Sequence, residues 1–383
     1  MKAGRTFKWH FALALLLLSP SLALAAGKAY DFKTALKRAK IIYCGQSPTF
    51  EEVEALADAS DKKTFLHDSL EECLQSTFWI QQELPRLADT RIRPLKAIGM
   101  DGDIVLADYT WDYRLFAYVL SGDRDARMLL TADFHVDENM QPVLGTIKRQ
   151  LPPQIPTGGG FLGDAAKVLA GLIFGSNPND SRIILGTGQP LAPDRRAGMI
   201  TTQWFFVLNT MFAELPRAAA AQAYRAYLGL DMARGEGLTP VAAEPRDVDN
   251  KGVKQGECAG CHSAIDPAAY AFSAYNGIDT SIDGIIGNSS GKYNANRTPW
   301  EGDGVVLGKP VGDLLEWAKV AADSLAFRQN LARMFFVHGI GRNPIGEAEI
   351  QEWKSLADKL PEDGYSANKL IHRLADTLAF GGI

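Results

Sequence analysis

Cys258-Ala259-Gly260-Cys261-His262 is the stretch on which the reading of this chain turns. Two thiols three positions apart can both reach the vinyl groups of one haem, and the adjacent imidazole can then approach the iron as proximal ligand. Two other chemistries use a C-x-x-C pair. A zinc site ordinarily needs a second ligand pair, and the chain has no other C-x-x-C and no H-x-x-x-H. A thioredoxin-like motif should sit between a strand and a helix of an α/β pattern, which the flanking sequence lacks. The motif therefore predicts one covalent haem c held by Cys258, Cys261 and His262.

Outward from the motif the chain reads as mainly α. Residues 235–256, just upstream, are polar and rich in Gly, Pro and Asp, as a linker would be. Downstream, residues 281–308 are loop-like, and four helical patterns follow at about 311–321, 326–339, 347–360 and 366–380. Residues 241–383 are thus expected to form a helical, cytochrome c-like haem domain. Residues 26–150 are expected to form an N-terminal helical domain. Its signals are an amphipathic segment at 33–44 closed by Gly45, a Thr49/Glu52 capping-box pattern, and a helical stripe at 69–83. The aromatic segment 109–120 suits helix or strand. Between these domains, 151–240 reads as a middle helical region with Gly/Pro-rich loops, its strongest stretch at 196–227 broken near Pro216.

The first 25 residues have the parts of a cleavable signal peptide: Lys2, Arg5 and Lys8, an apolar run from Phe11 to Leu18, and Ala23-Leu24-Ala25 as a cleavage site. A periplasmic or secreted location follows as an expectation. Removing those three cations takes the formal charge from −5 to −8, because residues 1–25 contain no acid. No basic cluster suggests nucleic acid. No later run reaches the roughly 18 apolar residues of a membrane helix, so the mature chain is not expected to span a membrane. In an oxidising compartment the two remaining thiols, Cys44 and Cys73, are expected to form a disulfide worth roughly 3 kcal/mol.

For the sixth iron position a Met thioether or second imidazole is the usual choice in electron-transfer haems. His338 is the leading distal candidate and Met334 the alternative. They lie four residues apart, on one helical face, 76 and 72 residues beyond His262. His372 is weaker. Arg297, Trp300 and Arg342 are candidate donors to haem propionates.

The run from Cys258 to Phe272, with Ile265-Asp266-Pro267 and Tyr270 after the motif, resembles the haem-attachment segment of planctomycete-type cytochrome c proteins. That family is built from domains of unknown function around one C-x-x-C-H. Phe335–Arg342, ending Gly341-Arg342, and the closing segment Gly364–Leu374 are similar to its later helices. Ser47–Leu56, Leu129–Phe134 and Arg196–Thr201 resemble its upstream landmarks. The stretch 287–297 looks like an insertion, and His338 stands where many relatives carry Tyr. The resemblance implies a mostly helical fold and haem binding, and names no substrate.

Three functions remain open from the sequence. One is periplasmic electron transfer by a single-haem cytochrome with a redox partner protein. The second is a peroxidase- or oxygenase-like haem enzyme with an open iron position. The third is a binding module in which haem is structural. A catalyst is the less favoured reading, because dihaem peroxidases need a second attachment motif.

Overall fold

A computed structural model describes residues 29–94, 104–105, 107–147, 183–184, 188–279, 290–297 and 303–382. The signal-peptide segment, most of the 151–187 stretch and Trp300 lie outside them.

The first helix, α1 (Phe32–Cys44), starts where Asp31 accepts hydrogen bonds from the Lys33 and Thr34 amides (3.2 and 3.1 Å). It ends at Gly45, whose φ of 73° suits glycine and whose missing Cβ makes room for the Phe78 ring. Its inner face is Ala35, Leu36, Ala39 and Tyr43. Helix α2 (Phe50–Asp58) carries the reciprocal capping box: the Thr49 amide donates to Glu52 at 2.8 Å, and the Glu52 amide donates to Thr49 Oγ at 3.2 Å. Helix α3 (Lys62–Leu74) lies along α1, and the Cys44–Cys73 disulfide joins their last turns, with Cα atoms 4.7 Å apart.

A π-helical turn, Trp79–Glu83, leads into α4 (Leu84–Ile92), which packs on α5 (Thr110–Leu120). The aromatic segment is thus a helix, with Leu115, Phe116, Val119 and Leu120 buried. A short helix α6 (Met128–Thr131) follows.

The strands are brief. Ile104–Val105 (β1) pairs in parallel with Ile183–Ile184 (β4). His135–Val136 (β2) pairs antiparallel with Pro142–Val143 (β3), and Gly304–Val306 (β5) with Lys309–Val311 (β6). Arg196, 3% exposed, fastens the loops beside β2 and β3 by donating to the carbonyls of Leu191, Asp133, Val143 and Gly145.

The 196–227 stretch is more broken than its pattern suggests. Helix α7 (Gln203–Asn209) and helix α8 (Arg217–Ala223) are separated by turns, and α8 runs into a π-helical turn, Tyr224–Leu228, that Gly229 ends at φ 68°. The haem-motif segment forms α9 (Gly256–Tyr270). Five helices close the chain: α10 (Leu314–Ala322), α11 (Leu325–Ile340), α12 (Gly346–Lys359), α13 (Ala367–Ala375) and α14 (Leu378–Gly381). The expected last helix is divided because Thr377 caps a new start.

These closing helices do not form a layer of their own. Helix α11 packs on α1, α13 lies against α3, and α14 lies against α1. Gly339 permits the closest approach, since a Cβ there would meet Leu374 at 2.8 Å and the Tyr43 hydroxyl at 3.1 Å. Tyr30 bridges to Gly382, and the Asp31 amide donates to Gly381 at 2.8 Å. One continuous apolar core therefore runs from Ala35 to Phe380, with Trp79, Trp204 and Trp317 fully buried.

Candidate functional site

Helix α9 presents the two thiols and the imidazole at its exposed first turns. Cys258 and Cys261 are both exposed and are not joined to each other. Their three-residue separation places them on neighbouring positions of one helical face. The helix then meets Pro267, which has no amide proton to give the Ser263 carbonyl four residues back. The Val241 amide takes that carbonyl instead, at 3.0 Å. A residue that would otherwise weaken the helix thereby docks the 240s loop beside the motif.

His262 is fixed from behind. Its Nδ1 donates to Asp266 Oδ1 at 2.8 Å, one turn along the same helix. Asp266 is fully buried, and Arg217 at the start of α8 grips it with Nε–Oδ1 2.6 Å and Nη2–Oδ2 2.9 Å. Arg217 also holds Asp249 at 2.6 and 3.0 Å. Burial works against the charge on Arg217, but the hydrogen bonds and charges of Asp266 and Asp249 outweigh it and raise its pKa. Burial likewise opposes ionisation of Asp249, and the Arg217 hydrogen bonds and charge overcome it and hold that carboxyl below its usual range. One turn further on, the Tyr270 hydroxyl donates to Glu244 at 2.7 Å, and Arg246 bonds the same carboxylate at 2.7 Å.

The consequence for His262 is chemical. With the Nδ1 proton committed to a carboxylate, Nε2 carries the free lone pair, and the ring cannot rotate without breaking the bond to Asp266. Two exposed free thiols, a following imidazole in the ligating tautomer and a buried carboxylate behind it fit covalent haem attachment. Among the described residues no group of three or more His, Cys, Asp or Glu side chains could hold a metal ion by itself.

Met334 and His338 share one helical face, but that face does not meet α9. Both line a cleft between α4, the turn after Leu228 and α11, and no residue of α9 contributes to its walls. The His338 ring lies between Tyr43 and Trp79, with centroids 5.7 and 5.6 Å away. Its Nε2 stands 4.0 Å from Glu83 and makes no hydrogen bond. Burial pulls its pKa down to about 4. The expected route from α11 over the haem is therefore not the one this packing takes.

The candidate propionate donors are also committed elsewhere. Arg297 donates to the carbonyls of Tyr275 (3.2 Å) and Ala213, and Arg342 makes a forked pair with Glu349 at 2.5 and 2.8 Å. His372 is part of a chain that sequence reasoning missed. Its Nδ1 meets His67 Nδ1 at 2.7 Å, while His372 Nε2 reaches Glu71 at 3.0 Å and His67 Nε2 reaches Asp376 at 2.8 Å. Asp266 was also missed, although its place four residues after His262 is a local signal. Arg217 and Asp249 carry no such signal, because only the fold brings them to α9.

Comparison of the chain with family models, with curated proteins and with solved structures gave no match in any of the three.

Proposed function

We propose that this chain is an exported c-type cytochrome that carries one haem on Cys258 and Cys261, with His262 as proximal ligand, and passes single electrons to or from a redox partner. The observation that carries the reading is the His262–Asp266 bond, 2.8 Å long and backed by a buried Arg217 fork, directly after two free exposed thiols. A carboxylate on the outer nitrogen is the support that metal-bound imidazoles commonly have. When bound, the haem supplies a one-electron Fe(III)/Fe(II) couple. This chain's own residues hold the Nδ1 proton on Asp266, keep the imidazole in one orientation and place negative charge behind it. That charge favours the more positive, oxidised state.

A second reading has its own support. The best distal candidates line another cleft, so a haem enzyme with an open iron position fits the packing around α9 as well as a carrier does. Both readings share one experiment. The chain is produced with a cytochrome c maturation system, and the haem is assayed by mass and by pyridine haemochrome spectrum. Covalent haem lost in Cys258→Ser and Cys261→Ser is the expected result. A wild-type chain that matures without haem overturns the proposal. A low-spin ferric EPR signal selects the carrier, and a high-spin signal selects the enzyme.

A further inference from the structure

The cleft lined by Met334 and His338 has a composition that runs against the rest of the chain. Five arginines, Arg86, Arg91, Arg225, Arg234 and Arg333, come to it from three separate segments of sequence and surround a volume of about 860 Å³. Two acids, Asp231 and Glu236, also line it, which leaves three positive charges in a protein whose formal charge is −5. Those two acids are turned to their own loop. Glu236 accepts the Asp231 amide at 2.8 Å, and Asp231 accepts the Ala233 amide at 3.0 Å.

The guanidinium groups are correspondingly underused. Arg225 makes no hydrogen bond or ion pair with any described residue. Arg333 spends only Nε, on the neutral Asn343 at 2.9 Å. Arg234 lies 3.8 Å from Asp231, beyond hydrogen-bonding distance. Arg86 pairs with Glu83, and Arg91 bonds the Leu87 carbonyl at 2.9 Å. Like charges gathered in a concave site repel one another, and an anion between them relieves that repulsion. Planar guanidinium forks match carboxylate and phosphate oxygens two by two. Behind them the cleft is apolar, with Leu87, Leu230, Met334 and Val337 on its walls.

We propose that this cleft is a binding site for a small molecule bearing two or more acidic oxyanion groups, read by Arg225, Arg333 and their neighbours, with its carbon skeleton against Met334 and Val337. The oxyanions are carboxylates or phosphates, since both present the same oxygen pairs to a guanidinium. The site does not depend on the haem reading.

The test is calorimetric titration of the full-length mature protein with citrate, inorganic phosphate and acetate at one fixed ionic strength, on wild type, Arg225→Gln, Arg333→Gln and Arg195→Gln. Arg195 is a surface control that lies over Tyr293. Saturable binding of citrate or phosphate, with acetate silent, is expected. It should weaken roughly tenfold in each cleft variant, as loss of a charge-assisted hydrogen bond implies, and stay unchanged in the control. Citrate alone assigns a polycarboxylate, and phosphate alone a phosphorylated ligand. Absence of saturation, or equal affinity in all four proteins, overturns the proposal. Folding of each variant is checked by circular dichroism, and the two cleft substitutions are independent exposed positions, so one misfolded variant leaves the other decisive.

Discussion

His135 offers a quantitative test of the packing between β2 and its surroundings. Its side chain is 4% exposed, its Nε2 has no hydrogen-bond partner, and its ring meets the edge of Trp111 at 6.3 Å. Burial, helped by the Arg196 charge, pulls its pKa down to about 3 from 6.5. Above pH 6.5 both folded and unfolded chains hold a neutral ring, so the residue adds nothing to the pH dependence. Below 6.5 the unfolded chain takes up a proton that the folded chain refuses, and stability falls as pH falls towards 3. Between pH 7 and 4.5 the folded ring stays neutral whether its pKa is 3 or 4, so the unfolded chain alone sets the size. The loss over that interval is about 2.6 kcal/mol. Urea unfolding of wild type and His135→Leu at both pH values isolates it, because every other titrating group is common to the two proteins. Wild type should lose about 2.6 kcal/mol more than the variant on going to pH 4.5. Equal losses would refute the buried, neutral histidine.

The same measurement on His338→Leu should remove about 2 kcal/mol of acid sensitivity, since its pKa of about 4 lies just below the interval. Asp266→Asn keeps the shape behind His262 but removes the charge. It should cost about 2–3 kcal/mol of stability, moderated because Arg217 keeps Asp249. It should also raise the haem potential by about 50 mV, and an unchanged potential in redox titration would show that Asp266 does not act on the iron ligand. Removing the Cys44–Cys73 bridge, which closes 29 residues of chain, should lower unfolding free energy by about 3.6 kcal/mol in the chain-entropy model, read from denaturant midpoints of the double Ser variant. The Asp376–His67–His372–Glu71 chain has carboxylates on both outer nitrogens, so its three hydrogen bonds need three protons on four ring nitrogens. Nitrogen-15 NMR should find one low-field shared proton between the two Nδ1 atoms, and two freely exchanging neutral rings would sink that reading.

What could be read from the sequence was local. The Thr49/Glu52 box and the glycine stops at Gly45 and Gly341 appear as expected, because a cap is decided within one turn of chain. The Cys44–Cys73 pairing followed from having only two thiols outside the motif. Helix α11 shows where that kind of reasoning ends. Spacing placed Met334 and His338 on one face, and they do share a cleft, but spacing says nothing about which element that face will meet. It meets α4 and the turn after Leu228, whose arginines are scattered over 86–333 and form no motif. The same limit hid Arg217, which lies 49 residues from its partner Asp266. The 196–227 stretch reads as long helices by composition, yet Gly229 and the π-helical turn before it are set by packing against α11.

The meeting of α1 with α14, and of Tyr30 with Gly382, has a consequence for how the protein is made. The apolar side of α1 leaves the ribosome first, yet the residues that complete its cover are the last to be synthesised. At 5–20 residues per second, that gap is on the order of 20–70 s. Through that interval Leu36 and Tyr43 face water or a holdase, and contacts spanning almost the whole chain must close before the fold is sealed. A stop codon anywhere before the closing helices would therefore release a product with its founding helix uncovered, which makes early truncations targets for proteolysis rather than smaller working versions of the protein.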